Sequence, residues 1–223
     1  MILVSQSLDN AAILSGLCNL ITLVIYWVFF SARRCHFGME TQLFRVNIPA
    51  LLLMIPLGLS CYTFIVCILS LLPENLLQSY ISSAEGLLGS SSPLAILSLV
   101  VLAPLAEEVA FRGLLYTRLR RGMPRLLAFF LASFLFGLMH GQFVWMLYAF
   151  VLSLLLCAIL DWFGSLWPGI LLHMTFNAGQ YVAAPFLEQI DFLPLLCGSI
   201  LLLVPLLLLV YRIGRRTRRR PLS

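Results

Sequence analysis

Three ionisable residues stand close together in a stretch with almost no other polarity. Glu107, Glu108 and Arg112 lie within APLAEEVAFRGLL, Ala103 to Leu115. An ionised group in hydrocarbon costs roughly 2.5–3.5 kcal/mol even on the mildest scales, so such a cluster marks a site. On a helix, Glu108 and Arg112 are i and i+4, share a face and can pair as ions. Glu107 is turned about 100° from Glu108 and needs a different partner. This arrangement neutralises one carboxylate and leaves the other free to move a proton.

The imidazoles and an amide follow downstream. The helix bearing the glutamates and the next one form an antiparallel hairpin about Met123–Pro124. Glu107 and His140 are equidistant from that turn, which predicts equal depth and a facing carboxylate and imidazole. Phe136, four residues before His140, shares its face and walls the site from lipid. His173 and Asn177 are again i and i+4, so one helix face offers an imidazole and an amide to a single ligand atom. In straight helices His173 would lie roughly 10 Å from the depth of His140, at 1.5 Å per residue. Tilt, or a break around Trp167–Pro168–Gly169, has to close that gap.

The elements that hold these groups are membrane helices. The chain has 223 residues, 61% hydrophobic and only 10% charged, with mean hydropathy +1.02. That composition predicts an all-α, polytopic transmembrane bundle of about seven helices around a four-helix catalytic core. The expected spans are 11–30, 48–72, 93–120, 125–140, 143–160, 166–187 and 192–211. As one membrane domain, the chain divides into two N-terminal helices and an outside loop (1–92), the catalytic core (93–187), and a last helix with a basic tail (188–223). Residues 11–30 lack the flanks of a cleaved signal and read as a retained first helix. Five of the six cysteines sit in apolar runs, where Cys behaves as a small hydrophobe, so neither a disulfide nor a cysteine metal site is expected. Trp27, Trp145, Trp162 and Trp167 read as interfacial belt residues.

The net charge of +5 comes with Arg and no Lys. Every Arg except Arg112 falls in 31–47, 117–125 or the tail, while Asp9, Glu74, Glu85, Glu188 and Asp191 fall in segments with no Arg. The positive-inside rule then places the N-terminus outside and the tail in the cytoplasm. The arginines serve as membrane anchors, the bilayer is the partner, and no nucleic acid is expected.

Taken together, EExxxR (Glu107, Glu108, Arg112), FxxxH (Phe136, His140) and HxxxN (His173, Asn177) resemble the CPBP group of intramembrane proteases. That group includes the Rce1-like CAAX prenyl endopeptidases and the bacterial Abi, or bacteriocin-immunity-associated, proteins. FRGLLYTRLRR, FGLMHG and GSLWPGILLHMTFN resemble the group as well, over about 93–180. The resemblance implies an intramembrane endopeptidase of the cell membrane acting on a membrane-associated protein or peptide. Glu107 and His140 would activate water, His173 and Asn177 would stabilise the oxyanion, and Glu108 with Arg112 would orient the helix. It implies no cofactor.

Other readings stay open. In a zinc-dependent variant, Glu107, His140 and His173 would be the ligands, a His₂Glu set. A non-enzymatic immunity or scaffolding factor would keep the fold alone. A proton-coupled transporter would use Glu107 and His140 as a relay, although the expected inverted repeats are not visible. For the substrate, a bacterial peptide or membrane protein fits better than a prenylated one.

The arginine distribution predicts that reporters fused after Pro73, Arg121, Glu188 and Arg216 alternate outside, inside, outside, inside. Two or more reporters on the wrong side contradict that topology.

Overall fold

A computed structural model describes residues 2–88, 92–187 and 189–217, with the side chains of 2–9 and 84–88 left aside. The expectations for Gly89–Ser91, Glu188 and the end of the basic tail lie outside these residues. In chain order the helices are α1 (Ile2–Ala32), α2 (Phe37–Glu40), α3 (Ile48–Leu69, interrupted at Leu53), α4 (Glu74–Leu88) and α5 (Pro93–Gly122). Then come α6 (Arg125–Leu138), α7 (Phe143–Phe163), α8 (Trp167–Val182), α9 (Ala184–Leu187) and α10 (Phe192–Thr217). The protein is a multi-pass membrane bundle, all-helical among the described residues.

Among the described residues, five helices are long and apolar enough to cross a bilayer by length and composition: α3, α5, α7, α10 and Asn10–Ala32 of α1. The other two expected spans are shorter than a crossing. Helix α6 has 14 residues and α8 has 16. At 1.5 Å per residue these reach about 21 and 24 Å, against a hydrocarbon core of about 30 Å. Both carry site residues, and their ends fall where those residues are needed.

Helix α5 is not regular. It passes from α into π geometry over Ser98–Leu102, returns to α over Ala103–Glu107, and is π again over Glu108–Tyr116. Pro104 explains one consequence. In the π register a carbonyl accepts from the residue five ahead. Leu99 faces Pro104, which has no N–H, so its carbonyl is left for another donor. Such π segments concentrate at functional sites, and here the second begins at Glu108 while the first ends one α turn before Glu107.

The connection between α7 and α8 is buried deep in the bundle. Gly164 ends α7 in the left-handed conformation, at φ 64°. The Leu166 N–H donates to the Gln42 carbonyl at 2.9 Å, and Ser165 Oγ donates to that of Phe44 at 2.6 Å. Thr41, beside Gln42, lies against Gly113, where an added Cβ would meet the Thr41 carbonyl oxygen at 3.1 Å. Gly113 is nine residues before the end of α5, so this turn sits roughly 13 Å up the bundle from that end. The depth difference expected for His173 is thus removed at the root of α8, not by a break inside it. Close helix contacts then fix α8 laterally: a Cβ on Gly58 of α3 would come within 2.0 Å of Thr175 Oγ1.

A buried acid ties the arginine-rich end together. Asp161 of α7 accepts from Tyr116 Oη at 2.8 Å and Arg125 Nε at 2.7 Å, and it pairs with Arg120. It joins the end of α5, the start of α6 and the end of α7. Asp161→Asn removes the charge between two arginines. Losing a partner from a fully buried pair costs about 3–5 kcal/mol. Arg125 is 58% exposed and partly solvated, so we expect about 2 kcal/mol, nearer the value of a charged hydrogen bond. The check is thermal unfolding of purified variants in detergent; an unchanged midpoint contradicts the pinning role.

Candidate active site

Glu108 is 0% exposed, and its carboxylate lies between two donors. Arg112 Nη1 is 2.9 Å from Oε1, and His173 Nδ1 is 2.9 Å from the same oxygen. The expected pairing with Arg112 is present, one turn on. The contact with His173 has no signature in local spacing, because 65 residues separate the two. Gly169 makes room for the other oxygen: a Cβ there would stand 3.3 Å from Oε2.

Arg112 is equally buried and is held mainly by charge and by an aromatic face. Its guanidinium lies over the Phe136 ring, 4.1 Å from the centroid. Among the described residues none of its nitrogens has a hydrogen bond of normal geometry, the short Nη1–Oε1 approach included. A desolvated cation–π contact is worth about 2 kcal/mol. Phe136 also touches Phe111, His140 and His173, with centroids at 5.1, 4.9 and 5.9 Å. The expected wall against lipid is thus also the piece between the cation and both imidazoles.

Glu107 points the other way. It lines a cavity of about 590 Å³ together with Phe136, His140, His173 and Asn177, and neither Glu108 nor Arg112 reaches that surface. Its side chain is 32% exposed. Glu107 Oε2 lies 3.8 Å from His173 Nε2. The sequence pairs Glu107 with His140; the structure brings both imidazoles to the same cavity, with His173 at this distance. Within the bundle the cavity runs from Glu107 toward Ser70 and Ala184, at the end opposite the arginines, and Leu77, Tyr80 and Ile81 of α4 cover it.

The hydrogen bonds set the tautomers. His140 Nδ1 is 2.9 Å from the Phe136 carbonyl, which can only accept, so Nδ1 carries the hydrogen. The Glu108 carboxylate, beside Arg112, likewise accepts from Nδ1 of His173. Each ring therefore keeps Nε2, in its neutral form a proton acceptor, as the atom not engaged by the scaffold. Asn177 Nδ2 donates to the freed Leu99 carbonyl at 3.1 Å, which anchors the amide to the first π segment and leaves its second N–H.

Asn177 and His173 are thus not equivalent donors. The amide can donate as it stands, whereas His173 offers an N–H to the cavity only when protonated on Nε2. Sequence reasoning missed Asp161, a lone acid in an otherwise apolar stretch, and Tyr181 on the cavity wall. The isolated acid was a usable signal; nothing local singled out the tyrosine.

Residues 89–179 match the family described as Type II CAAX prenyl endopeptidase Rce1-like. The matched segment contains all six site residues, and the match is consistent with the CPBP group. It supports a protease of CAAX type. No curated protein and no solved structure matches the chain.

Removing the Glu108 charge leaves Arg112 buried without its counter-ion. Glu108→Gln should lower the thermal midpoint, with a cost of about 3 kcal/mol or more. Adding Arg112→Met removes the stranded cation and should recover part of the loss. A double variant less stable than the single one contradicts this pairing.

Proposed function

We propose that the protein is an intramembrane endopeptidase of the cell membrane in which Glu107 activates water against a peptide bond, without a metal. The observation that carries the reading is the division of the glutamates: Glu108 is committed to Arg112 and His173, while Glu107 alone lines the cavity.

The roles follow from donors and acceptors. A water entering beside Glu107 and His140 meets two acceptors, the carboxylate and the ring Nε2, for its two hydrogens. Its oxygen lone pair is then free to attack a carbonyl carbon. Glu107 takes the proton as general base, a contribution typically worth 10²–10⁴ in rate. The negative oxygen that forms receives the second N–H of Asn177, a type of donor whose loss costs roughly 10²–10³. From Glu107 the proton has a short path to His173 Nε2. The resulting imidazolium is stabilised by Glu108 and can hydrogen-bond the oxyanion before protonating the leaving amine. The expected oxyanion role of His173 therefore belongs to its charged form. The substrate is a membrane-associated protein or peptide, a class that the match to a membrane-embedded protease family supports.

A zinc-dependent variant is the second reading. Its donor set is chemically suitable, and each imidazole has its other nitrogen on an acceptor, as metal-binding histidines do. As arranged, no three His, Cys, Asp or Glu among the described residues are gathered to hold an ion.

Peptide cleavage by the purified protein in proteoliposomes tests the proposal. Glu107→Gln should fold normally and lose roughly 10²-fold or more in rate. Glu108→Gln should lose rate per folded molecule as well, because an amide can set the wrong His173 tautomer; in a Ser–His–Asp triad such a change costs about 10⁴. Chelators should leave the wild-type rate intact. Glu107→Gln cleaving at the wild-type rate, or activity and stoichiometric zinc lost together, overturns the reading.

A further inference from the structure

The cavity and the arginines occupy opposite ends of the bundle. Its lining includes Leu69 and Ser70 where α3 finishes, His140 beyond the last turn of α6, Trp145 at the start of α7 and Ala184 beyond the end of α8. The other end carries the arginines: Arg118, Arg120 and Arg121 close α5, Arg125 opens α6, and Arg215 and Arg216 lie in the last turn of α10. At the cavity end, exposed Glu74 and Asp191 stand at the starts of α4 and α10, and no described residue is an arginine.

Below Glu107 the packing is closed. Glu108 and Arg112 are both 0% exposed and do not line the cavity. Nearer the arginines, Val109, Tyr116, Ala132, Leu160, Leu166 and Ile170 belong to one buried apolar cluster drawn from α5, α6, α7 and α8. The Asp161 network then ties the helix ends together. The opposite side differs. There α4 lies over the cavity with Leu77, Tyr80 and Ile81 inward, while Asn75, Gln78, Ser79 and Ser82 are exposed. The Tyr80 ring meets those of Trp145 and Tyr148 edge-on, with centroids at 6.4 and 6.1 Å, which anchors the helix there. A helix divided in this way lies along a membrane–water interface, so its polar face marks water on the cavity side.

The positive-inside rule makes the arginine end cytoplasmic. We infer that the cavity is entered from the non-cytoplasmic face, so that the bond presented to Glu107 belongs to a polypeptide segment exposed on that face. A segment confined to the cytoplasm would have to pass the buried ion pair and the apolar cluster to reach it. That the bond is a peptide bond rests on the protease reading; the side of entry does not, and it is testable without turnover.

The experiment labels full-length Ala103→Cys protein with a cationic, membrane-impermeant methanethiosulfonate in right-side-out and in inside-out membrane vesicles. Mass spectrometry reads each cysteine separately, so the native ones stay in place. Ala103 lines the cavity one turn before Glu107, and the exposed Cys35, just past α1 at the arginine end, reports the opposite face. The introduced thiol should react at least tenfold faster in right-side-out vesicles, and Cys35 at least tenfold faster in inside-out ones. Ala184→Cys repeats the measurement past the end of α8 and replaces Ala103→Cys if that variant does not accumulate. Faster labelling of the introduced thiol from the cytoplasmic face, labelling from neither face, or labelling from the same face as Cys35 overturns the inference. A capped, fluorogenic alanine–leucine hexapeptide added to the same vesicles carrying wild type should be cleaved only in the right-side-out preparation. Cleavage confined to inside-out vesicles overturns the inference. Labelling from the outer face with no cleavage in either orientation leaves the side of entry standing and contradicts the protease reading.

Discussion

A carboxylate with almost no access to water is the constraint on which the site depends. Glu108 is tolerated in the bundle because one of its oxygens meets both Arg112 and His173. Neither contact is dispensable: without the arginine the acid would be an unpaired charge in low dielectric, and without the acid the arginine would be. The ion pair occupies the centre of α5, so that helix has to be covered on the side where the pair lies. Phe136 of α6 provides one cover by stacking on the guanidinium, and Gly169 of α8 provides the space for the second oxygen. The partner glutamate, one residue earlier, is then turned toward the cavity.

The irregular parts of the fold serve this geometry. Helix α6 stops at Leu138, and His140 folds its ring back onto the Phe136 carbonyl. Helix α8 begins on a turn buried against Gln42 and Phe44, which raises His173 to the level of Glu108. Pro104 and the π register free the Leu99 carbonyl that fixes Asn177. Short helices and a deep turn would leave backbone groups unpaired in lipid. Here those groups are paired with protein, which is why full crossings are not required of every helix.

The sequence made part of this legible, for identifiable reasons. The Glu108–Arg112 and His173–Asn177 faces come from i, i+4 spacing, a local property that survives small changes in helical register. The bundle itself is readable from hydropathy because hydrocarbon selects against polar residues throughout. The contact of Glu108 with His173 is different: it depends on where α8 starts, and that depends on the loop 33–47, whose role has no local pattern. The π segments are equally hidden, since Pro104 in an apolar run signals a disturbance without its form. Asp161 was visible as an isolated acid, but its three partners lie on helices whose ends had first to be brought together.

The histidine tautomers decide which ring atoms remain for chemistry. Nitrogen-15 NMR of histidine-labelled protein in detergent micelles, with His36→Gln used to simplify the spectrum, reads them directly. The hydrogen-bond geometry predicts that His140 and His173 both carry hydrogen on Nδ1 in their neutral forms, and that Glu108→Gln perturbs His173 while leaving His140 in place. Hydrogen on Nε2 of neutral His173 in the unmodified site, or a His173 signal indifferent to Glu108→Gln, would contradict it.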